Sequence, residues 1–567
     1  MNILGISNAE TSSAVFYQNG QLVAAASEER FTRKKMDDSF PLNSIEFVLK
    51  ESKIAKSEID IVSYAWSKGF PEDAMESYFE RISNLNNLTE KEIFFERVKT
   101  EQSRDFLKRK EFWDYIESDS ELSNCIIEDF YHHEAHALSA CMMSPFEESV
   151  ILTCDGRGDY ESLALFIHSK KNNHLEKLYS STSSDSLGFF YGRITGLLGF
   201  TPCRHEGKIT GLAAYGCHNN AMELMKNMID YDGEKIQSTL GDFYRPFYTN
   251  YSDELKKEIS RFSREDISAA AQEHLEIILS TFLRDQYNKH NLSGLPLCLA
   301  GGVFGNVKVN AKLRDTEGVS GIFVQPQMSD GGLAIGAVCG SLNKRGIRPN
   351  TLSNMSLGPT GGDINNLITL YSDKGYSFDY HEPNDLAPVI VENLIANKVI
   401  GLVRGRMEFG PRALCNRSII YKTSDRSCND WLNKRMSRTE FMPFAPVMTE
   451  ENGRKHLKPF NHEDNSLWFM TATVIVSNEF EEKSPAVTHV DKTARPQIIS
   501  SDRDPWIWDL LNKWEEASGE PSLINTSFNR HEEPIVCTYE EAFSNLENDV
   551  VDVLVLDNYI VTKNNIE

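Results

Sequence analysis

Four side chains have the types and spacing of a metal site: His132 and His136 in DFYHHEAHALSACMM, Asp155 in LTCDGRGD and Asp330 in QMSDGG. Residues four apart on a helix share a face, so the two imidazoles can aim one nitrogen each at a common ion. His133, about 100° further round, would miss it. Both aspartates sit in glycine-flanked turns at strand ends, where the backbone can approach a ligand closely. Each aspartate alone also reads as an N-cap or Asx turn, and the histidine pair alone as packing. Together they form a two-histidine, two-carboxylate set that suits iron, manganese or zinc.

A second group has the character of a nucleotide site. Gly301-Gly302-Val303, with Asn306 following, makes a glycine-lined strand-to-helix turn whose N–H groups can face phosphate. Lys208, in EGKITGLAAYG, adds a cation on a flexible segment. A third group lies further on: Arg406, Arg412, Arg417, Arg435 and Arg438, flanked by Gly405, Gly410 and Pro411, then Asn525-Thr526-Ser527-Phe528-Asn529 and Arg530. Guanidinium groups capture phosphate or carboxylate oxygens in bidentate fashion, so this run is an expected anion site; surface ion pairing is the bland alternative.

These groups need a scaffold, and the 567-residue chain supplies one. Residues 3–6, 14–17 and 22–26 are apolar and flank Asn19-Gly20, which predicts a hairpin. PLCLAGGVFGN and GIFVQPQMSDGGLAIGA each read as a strand, a glycine turn and a helix, the alternation of helix-covered α/β sheets. Residues 71–122 read as a charged helical insertion. The Pro-, Gly- and Asn-rich stretch 346–385 reads as a linker between a domain at 1–345 and a second α/β unit at 386–567. No internal repeat is visible.

Composition narrows the function. With 59 basic and 83 acidic side chains the net charge is −24, which argues against a phosphate-tracking nucleic-acid binder. No apolar run approaches the length needed to span a bilayer, and the start lacks a signal peptide's basic region. The ten cysteines show no CxxC pair and are expected as reduced thiols of a cytoplasmic protein.

Taken together, SEERFTRKK, HHEAHA, DGRG, SLGFFYGRITGLLGF, EGKITGLAAYG, AGGVFGN, RGRMEFGPRALCNRS, PFAPV and NTSFN resemble the O-carbamoyltransferase family, which includes the nodulation protein U enzymes and the tobramycin- and cephamycin-type carbamoyltransferases. The resemblance implies an α/β N-terminal domain of the actin-like ATPase (ribonuclease H-like) superfamily, similar to the tRNA threonylcarbamoyl-transfer enzyme. It also implies a C-terminal α/β domain similar to threonylcarbamoyl-AMP synthase. In such enzymes carbamoyl phosphate yields carbamate, which attacks ATP, releases pyrophosphate and forms carbamoyl-adenylate. The adenylate moves internally to the N-terminal site, where the hydroxyl of a sugar or natural product takes the carbamoyl group.

Carried over residue by residue, the resemblance implies His132, His136, Asp155 and Asp330 as metal ligands, with iron favoured there and magnesium accompanying ATP. The Gly301-Gly302 turn is implied for the nucleotide, joining Lys208, Val303 and Asn306 from the reading of the residues, and Arg412 and Arg417 are implied for catalysis. Arg406 is implied for carbamoyl phosphate and ATP; Arg438, Lys434 or Arg530 are the expected replacements for family cations that this chain lacks, and Asn525 and Ser527 are expected neutral donors from the reading of the residues. The expected partners are these small molecules, with no nucleic acid and no membrane; homo-oligomerisation is left open. Two departures stand out. Glu10-Thr11 occupies the place of a His-Asp pair, so Glu10 is the expected base; Ser437 and Met442 replace a lysine and an arginine. A sugar or metabolite kinase of the same superfamily and a catalytically silent nucleotide-binding regulator are the alternatives.

Overall fold

The computed structural model describes residues 1–66, 72–246, 251–438, 443–461 and 464–564. The chain forms two compact units, Met1–Ala24 with Asp38–Leu352 and Ala25–Asp37 with Ser353–Glu567.

In the first unit, β1 (Ile3–Ser7), β2 (Ser13–Gln18) and β3 (Gln21–Ser27) form the expected meander. Asn19 and Gly20 both take left-handed φ, 52° and 90°, as the tight turn between β2 and β3 requires. β4 (Ile61–Ala65) and β5 (Ile126–Phe130) add on in parallel, giving the order β3-β2-β1-β4-β5. A second sheet contains β6 (Glu148–Gly158), β7 (Glu161–Ser169), β8 (His174–Thr182), β9 (Leu297–Ala300) and β10 (Ile322–Val324). Its order, β8-β7-β6-β9-β10, repeats the first sheet strand for strand, antiparallel on one side of the first strand and parallel on the other.

The unit is therefore the expected ribonuclease H-like fold, duplicated in topology and not in sequence. Strand order requires only apolar alternation and suitable turns, which unrelated sequences satisfy equally well.

In each half a helix follows the fifth strand: His132–Cys141 after β5 and Leu333–Lys344 after β10. These helices press together along glycine. A Cβ on Gly336 would stand 2.0 Å from the carbonyl oxygen of Ala135, so a larger residue would force the histidine helix away. The helices Glu72–Ser83 and Leu88–Ser118 occupy most of the expected insertion.

The second unit is built on one eight-stranded mixed sheet. Its strands are β11 (Tyr376–Tyr380), β12 (Ile400–Val403), β13 (Arg417–Lys422), β14 (Ala445–Thr449), β15 (Gln497–Ile499), β16 (Leu523–Ser527), β17 (Val553–Leu556) and β18 (Tyr559–Lys563). They lie in the order β11-β18-β17-β12-β13-β16-β14-β15. Leu386, Ile390, Leu510 and Trp514, from the helices Pro383–Ile395 and Pro505–Ser518, cover one face through Ile400, Leu402 and Val553. Val399, Val403, Ile419, Ile524 and Leu554 meet Leu367, Phe543 and Leu546 on the other. Burial on both faces explains why VIGLV and VLVL (553–556) read as unbroken apolar runs.

Two expected boundaries are corrected. The stretch 346–385 holds the helix Ile364–Tyr371 and strand β11, which pairs with β18 along Tyr376 to Tyr380. Apart from its first residues it belongs to the second unit and is not a linker. The segment 25–37, placed by sequence in the N-terminal domain, folds with the second unit instead. All ten cysteines are free thiols. Among the described residues no helix is long and apolar enough to cross a membrane.

Candidate functional site

The histidine helix begins at His132, whose N–H donates to Asp159 Oδ2 at 2.8 Å. Both imidazoles are buried completely. Their Nε2 atoms face two carboxylates. His136 lies 3.2 Å from Asp155 Oδ2 and 3.5 Å from Asp330 Oδ1; His132 lies 3.8 and 3.7 Å from the same two atoms. One ligand atom from each of the four residues falls within 4.8 Å of all the others.

Symmetry of the two halves accounts for this convergence. The histidines sit on the helix after β5, and Asp330 opens the equivalent turn after β10. Asp155, on β6, approaches from the second sheet, and Glu10, between β1 and β2, lies on the first. A Cβ on Gly158 would stand 2.0 Å from the His132 ring, so that position admits only glycine.

The four residues fit a divalent cation. The ring nitrogens of His132 and His136 are buried, and their Nε2 atoms meet only the carboxylate oxygens of Asp155 and Asp330, so a cation between them would take the Nε2 lone pairs and both negative charges. Burial pushes the His136 pKa down, but Asp155 and Asp330 outweigh it and raise it to about 9. Burial raises Asp155, yet His132 and His136 hold it well below the usual carboxylate range. Asp155 is also anchored by the N–H of Gly156 at 2.7 Å and of Gly302 at 3.1 Å. His133 points elsewhere, with Nδ1 2.8 Å from Thr153 Oγ1.

Glu10 is placed beside the cluster, its backbone N–H donating to Asp330 Oδ2 at 3.3 Å. Desolvation by the surrounding cluster and the nearby Asp330 push its carboxyl above the usual range, although the residue is exposed. Composition alone did not reveal the neighbouring Arg157, which is clamped by Asp105 at 3.0 and 3.1 Å and by Glu101 at 3.4 Å and lies over the Trp66 ring. Trp66 in turn meets the His132 ring edge-on at 5.1 Å. The available signals were its place in DGRG, two residues after Asp155, and a pair of acidic residues four apart in the charged helix Leu88–Ser118.

The expected nucleotide residues divide. Gly302 borders the cluster through Asp155. Val303 follows in the same short turn, where Gly301 takes φ 109°. Asn306 caps the helix Val307–Arg314 and donates to Gln272 Oε1 at 2.8 Å, so its side chain serves local structure. Lys208 is buried, its ammonium 5.6 Å from the Phe200 ring centre.

The second unit holds a cavity of about 650 Å³ whose lining includes Arg404, Arg406, Glu408, Trp468, Arg503 and Trp506. Arg404 pairs with Asp504 and lies 5.1 Å from the Trp506 ring centre. Arg503 stacks on Trp468, and burial holds its pKa down to about 10. Arg406 donates to the carbonyls of Gly358 and Leu357. Glu408 Oε1 accepts from the N–H groups of Leu414, Asn416 and Arg417 at 2.6, 2.7 and 3.2 Å, whereas its buried Oε2 has no partner. Arg503 and both tryptophans lie outside the motif runs, and Arg404, which opens RGRMEFGPRALCNRS, was not among the residues singled out within it.

Arg412 is desolvated, and burial alone pulls it down to about 10. Arg417 is the correction here. It is fully buried and donates to the carbonyls of Cys537, Arg404, Gly405, Asn416 and Pro359, so it braces the loop and cannot also clasp a substrate. Asn525 is likewise engaged, with Ala413 O at 3.0 Å and Gln497 at 2.6 Å. Arg438 meets Ser527 Oγ at 3.0 Å and Asn529 Oδ1 at 2.7 Å, which joins two of the expected substrate residues. Arg530 lies 3.4 Å from Glu533. Met442 lies outside the described residues.

A two-unit α/β chain with a ribonuclease H-like first half is thus the class that the fold defines. Comparison with known families then identifies it: residues 2–339 match the carbamoyltransferase N-terminus, residues 391–563 match the carbamoyltransferase C-terminus, and the chain belongs to the carbamoyltransferase family. It is 32% identical to an uncharacterised protein of Methanocaldococcus jannaschii, covering 99% of both chains. It is 31% identical to the nodulation protein NolNO of Sinorhizobium fredii over 97% of this chain and 78% of that one. It is 33% identical to the nodulation protein NolO of Bradyrhizobium diazoefficiens over 76% of this chain and 78% of that one.

Proposed function

We propose that this carbamoyltransferase uses carbamoyl phosphate and ATP to form carbamoyl-adenylate and transfers the carbamoyl group to a hydroxyl of a sugar or natural product. The observation that carries the reading is the convergence of His132, His136, Asp155 and Asp330, with buried imidazole nitrogens, in a chain of this family.

In the second unit Arg406 and Arg412, with Arg404 and Arg503, hold the phosphates. Partly desolvated guanidiniums gain more from an incoming anion than solvated ones do. Water removes the phosphate of carbamoyl phosphate and leaves carbamate. A carbamate oxygen then attacks the α-phosphorus of ATP, breaking the bond to the β-phosphate oxygen and releasing pyrophosphate. Enclosure by the protein limits hydrolysis of these short-lived species.

In the first unit His132, His136, Asp155 and Asp330 would hold a divalent cation, with iron favoured by resemblance. When bound, it supplies neutralisation of the charge left on AMP. Glu10 accepts the proton of the acceptor hydroxyl as its oxygen attacks the carbamoyl carbon, and the bond to the adenylate phosphate oxygen breaks. The turn Gly301-Gly302 offers backbone N–H groups to the nucleotide.

The test is product analysis with purified protein, ATP, carbamoyl phosphate and a divalent metal. Pyrophosphate is expected, with AMP formed when a hydroxyl acceptor is present. ADP as the nucleotide product would overturn the reading in favour of a kinase.

A further inference from the structure

The motif SEERFTRKK carries no role in the chemistry above, yet its chain segment, Ala25–Asp37, is part of the second unit. We propose that this N-terminal arm is the positioning element of the arginine cavity, with Arg30 and Arg33 as positioning residues. The proposal rests on the reading of that cavity as the site of carbamoyl phosphate and ATP.

The arm enters through the Ala25 N–H, which donates to Leu357 O at 3.0 Å, and Leu357 O also accepts from Arg406. Arg30, buried in the short helix Glu29–Thr32, donates through Nη2 to Gly410 O at 3.0 Å. Gly410 is two residues before Arg412 and two after Glu408. Arg33 donates through Nη1 to Ile535 O at 2.9 Å and through Nη2 to Pro534 O at 2.8 Å. It also pairs with Glu541 Oε2 at 3.2 Å.

A continuous polar chain then leads from Arg33 to the cavity. Glu541 Oε2 accepts from Cys537 N–H at 2.7 Å, Cys537 O accepts from Arg417 Nε at 3.2 Å, and Arg417 Nη1 donates to Gly405 O at 3.2 Å. Gly405 lies between Arg404 and Arg406, whose side chains line the cavity. Two cations of the arm thus fix the loop 405–416, which lines the cavity, and the loop 530–537, which Arg417 ties to Gly405 through Cys537 O.

The arm is itself held tightly. Glu29 Oε1 lies 3.2 Å from Arg30 Nη1, while Glu29 Oε2 accepts from Met36 N–H at 2.7 Å. Arg33 and Met36 take φ of 60° and 54°. The left-handed Arg33 is the C-cap that ends the helix Glu29–Thr32.

The experiment uses the full chain. Pyrophosphate release is measured against carbamoyl phosphate concentration for wild type, Arg30→Ala, Arg33→Ala and Arg33→Lys, with metal content, thermal unfolding and ATP titration by tryptophan fluorescence alongside. Both alanine variants are expected to lose about tenfold to a hundredfold in kcat/KM, chiefly through KM, because small misplacement of binding groups is costly. Metal content stays at the wild-type value. Arg33→Lys, which keeps a donor for one of the two carbonyls, recovers part of the loss.

Folded alanine variants with kinetics and ATP affinity within about twofold of wild type would overturn the proposal. If alanine prevents folding, Arg30→Gln and Arg33→Gln face the same criteria. A wild type that releases no pyrophosphate removes the functional reading but not this one. ATP affinity then decides: about tenfold weakening in Arg33→Ala supports the arm's role, and no change refutes it.

Discussion

The histidine–aspartate cluster and the arginine cavity use opposite designs to bind opposite charges. In the cluster, four side chains from three distant segments aim their ligand atoms at one point and bury the imidazole Nε2 atoms against two carboxylates. In the cavity, several arginines are already engaged by main-chain carbonyls and carboxylates. An imidazole has two ring nitrogens, so convergence of such groups leaves little for them to do except bind a cation. A guanidinium has five N–H donors and can serve the fold and a ligand together, or the fold alone. Residue type in a motif therefore says more about function in the first unit than in the second.

Substitutions can break this contrast. The largest effect is expected at the cluster: His132→Ala and Asp330→Ala each lose bound metal and about a thousandfold of carbamoyl transfer, read by elemental analysis and product formation. A variant that keeps full metal content would remove that residue from the ligand set.

Next come two arginines five apart. Arg412→Ala should lose about a hundredfold or more in pyrophosphate release while its unfolding midpoint changes little. Arg417→Ala should instead destabilise the protein by roughly 3–5 kcal/mol, because several buried carbonyls lose their donor. Chemical denaturation beside the activity assay separates the two, and equal stability would undo the distinction.

Glu10→Gln sharpens the comparison from the other side. It should slow transfer to the acceptor by about a hundredfold while pyrophosphate release and metal content stay normal. Trp506→Ala is expected to weaken ATP binding by about tenfold, through loss of the surface on which Arg404 lies, as measured by calorimetry. The smallest effect belongs to Arg435→Ala, whose pair with Asp552 is partly solvent-exposed. Its activity should stay within about twofold of wild type and its stability within about 1 kcal/mol.

Much of the first unit was legible in the chain itself. Asn19-Gly20 announced the hairpin because few other dipeptides accept two left-handed residues in succession. The strand, glycine turn and helix grammar around Gly301 and Asp330 announced parallel strands. The duplication was hidden, since repeated strand order leaves no repeated letters. The assignment of Ala25–Asp37 to the second unit was equally hidden, because sequence proximity to β1 and β2 carries no information about which sheet a segment finally joins.

The sequence alone determined the chemistry on offer: two histidines one helical turn apart, carboxylates in glycine turns, and a concentration of arginines in an acidic chain. Local rules suffice there, since helical periodicity and turn stereochemistry act over a few residues. Only the tertiary structure decided which groups meet. It brought Asp155 and Asp330, 175 positions apart, to the same two imidazoles because two sheets of equal topology present equivalent turns. It also turned Arg417 inward to brace a loop and added Trp468, Arg503 and Trp506 to the cavity wall. Those outcomes depend on long-range packing of sheets and helices, which spacing along the chain does not encode.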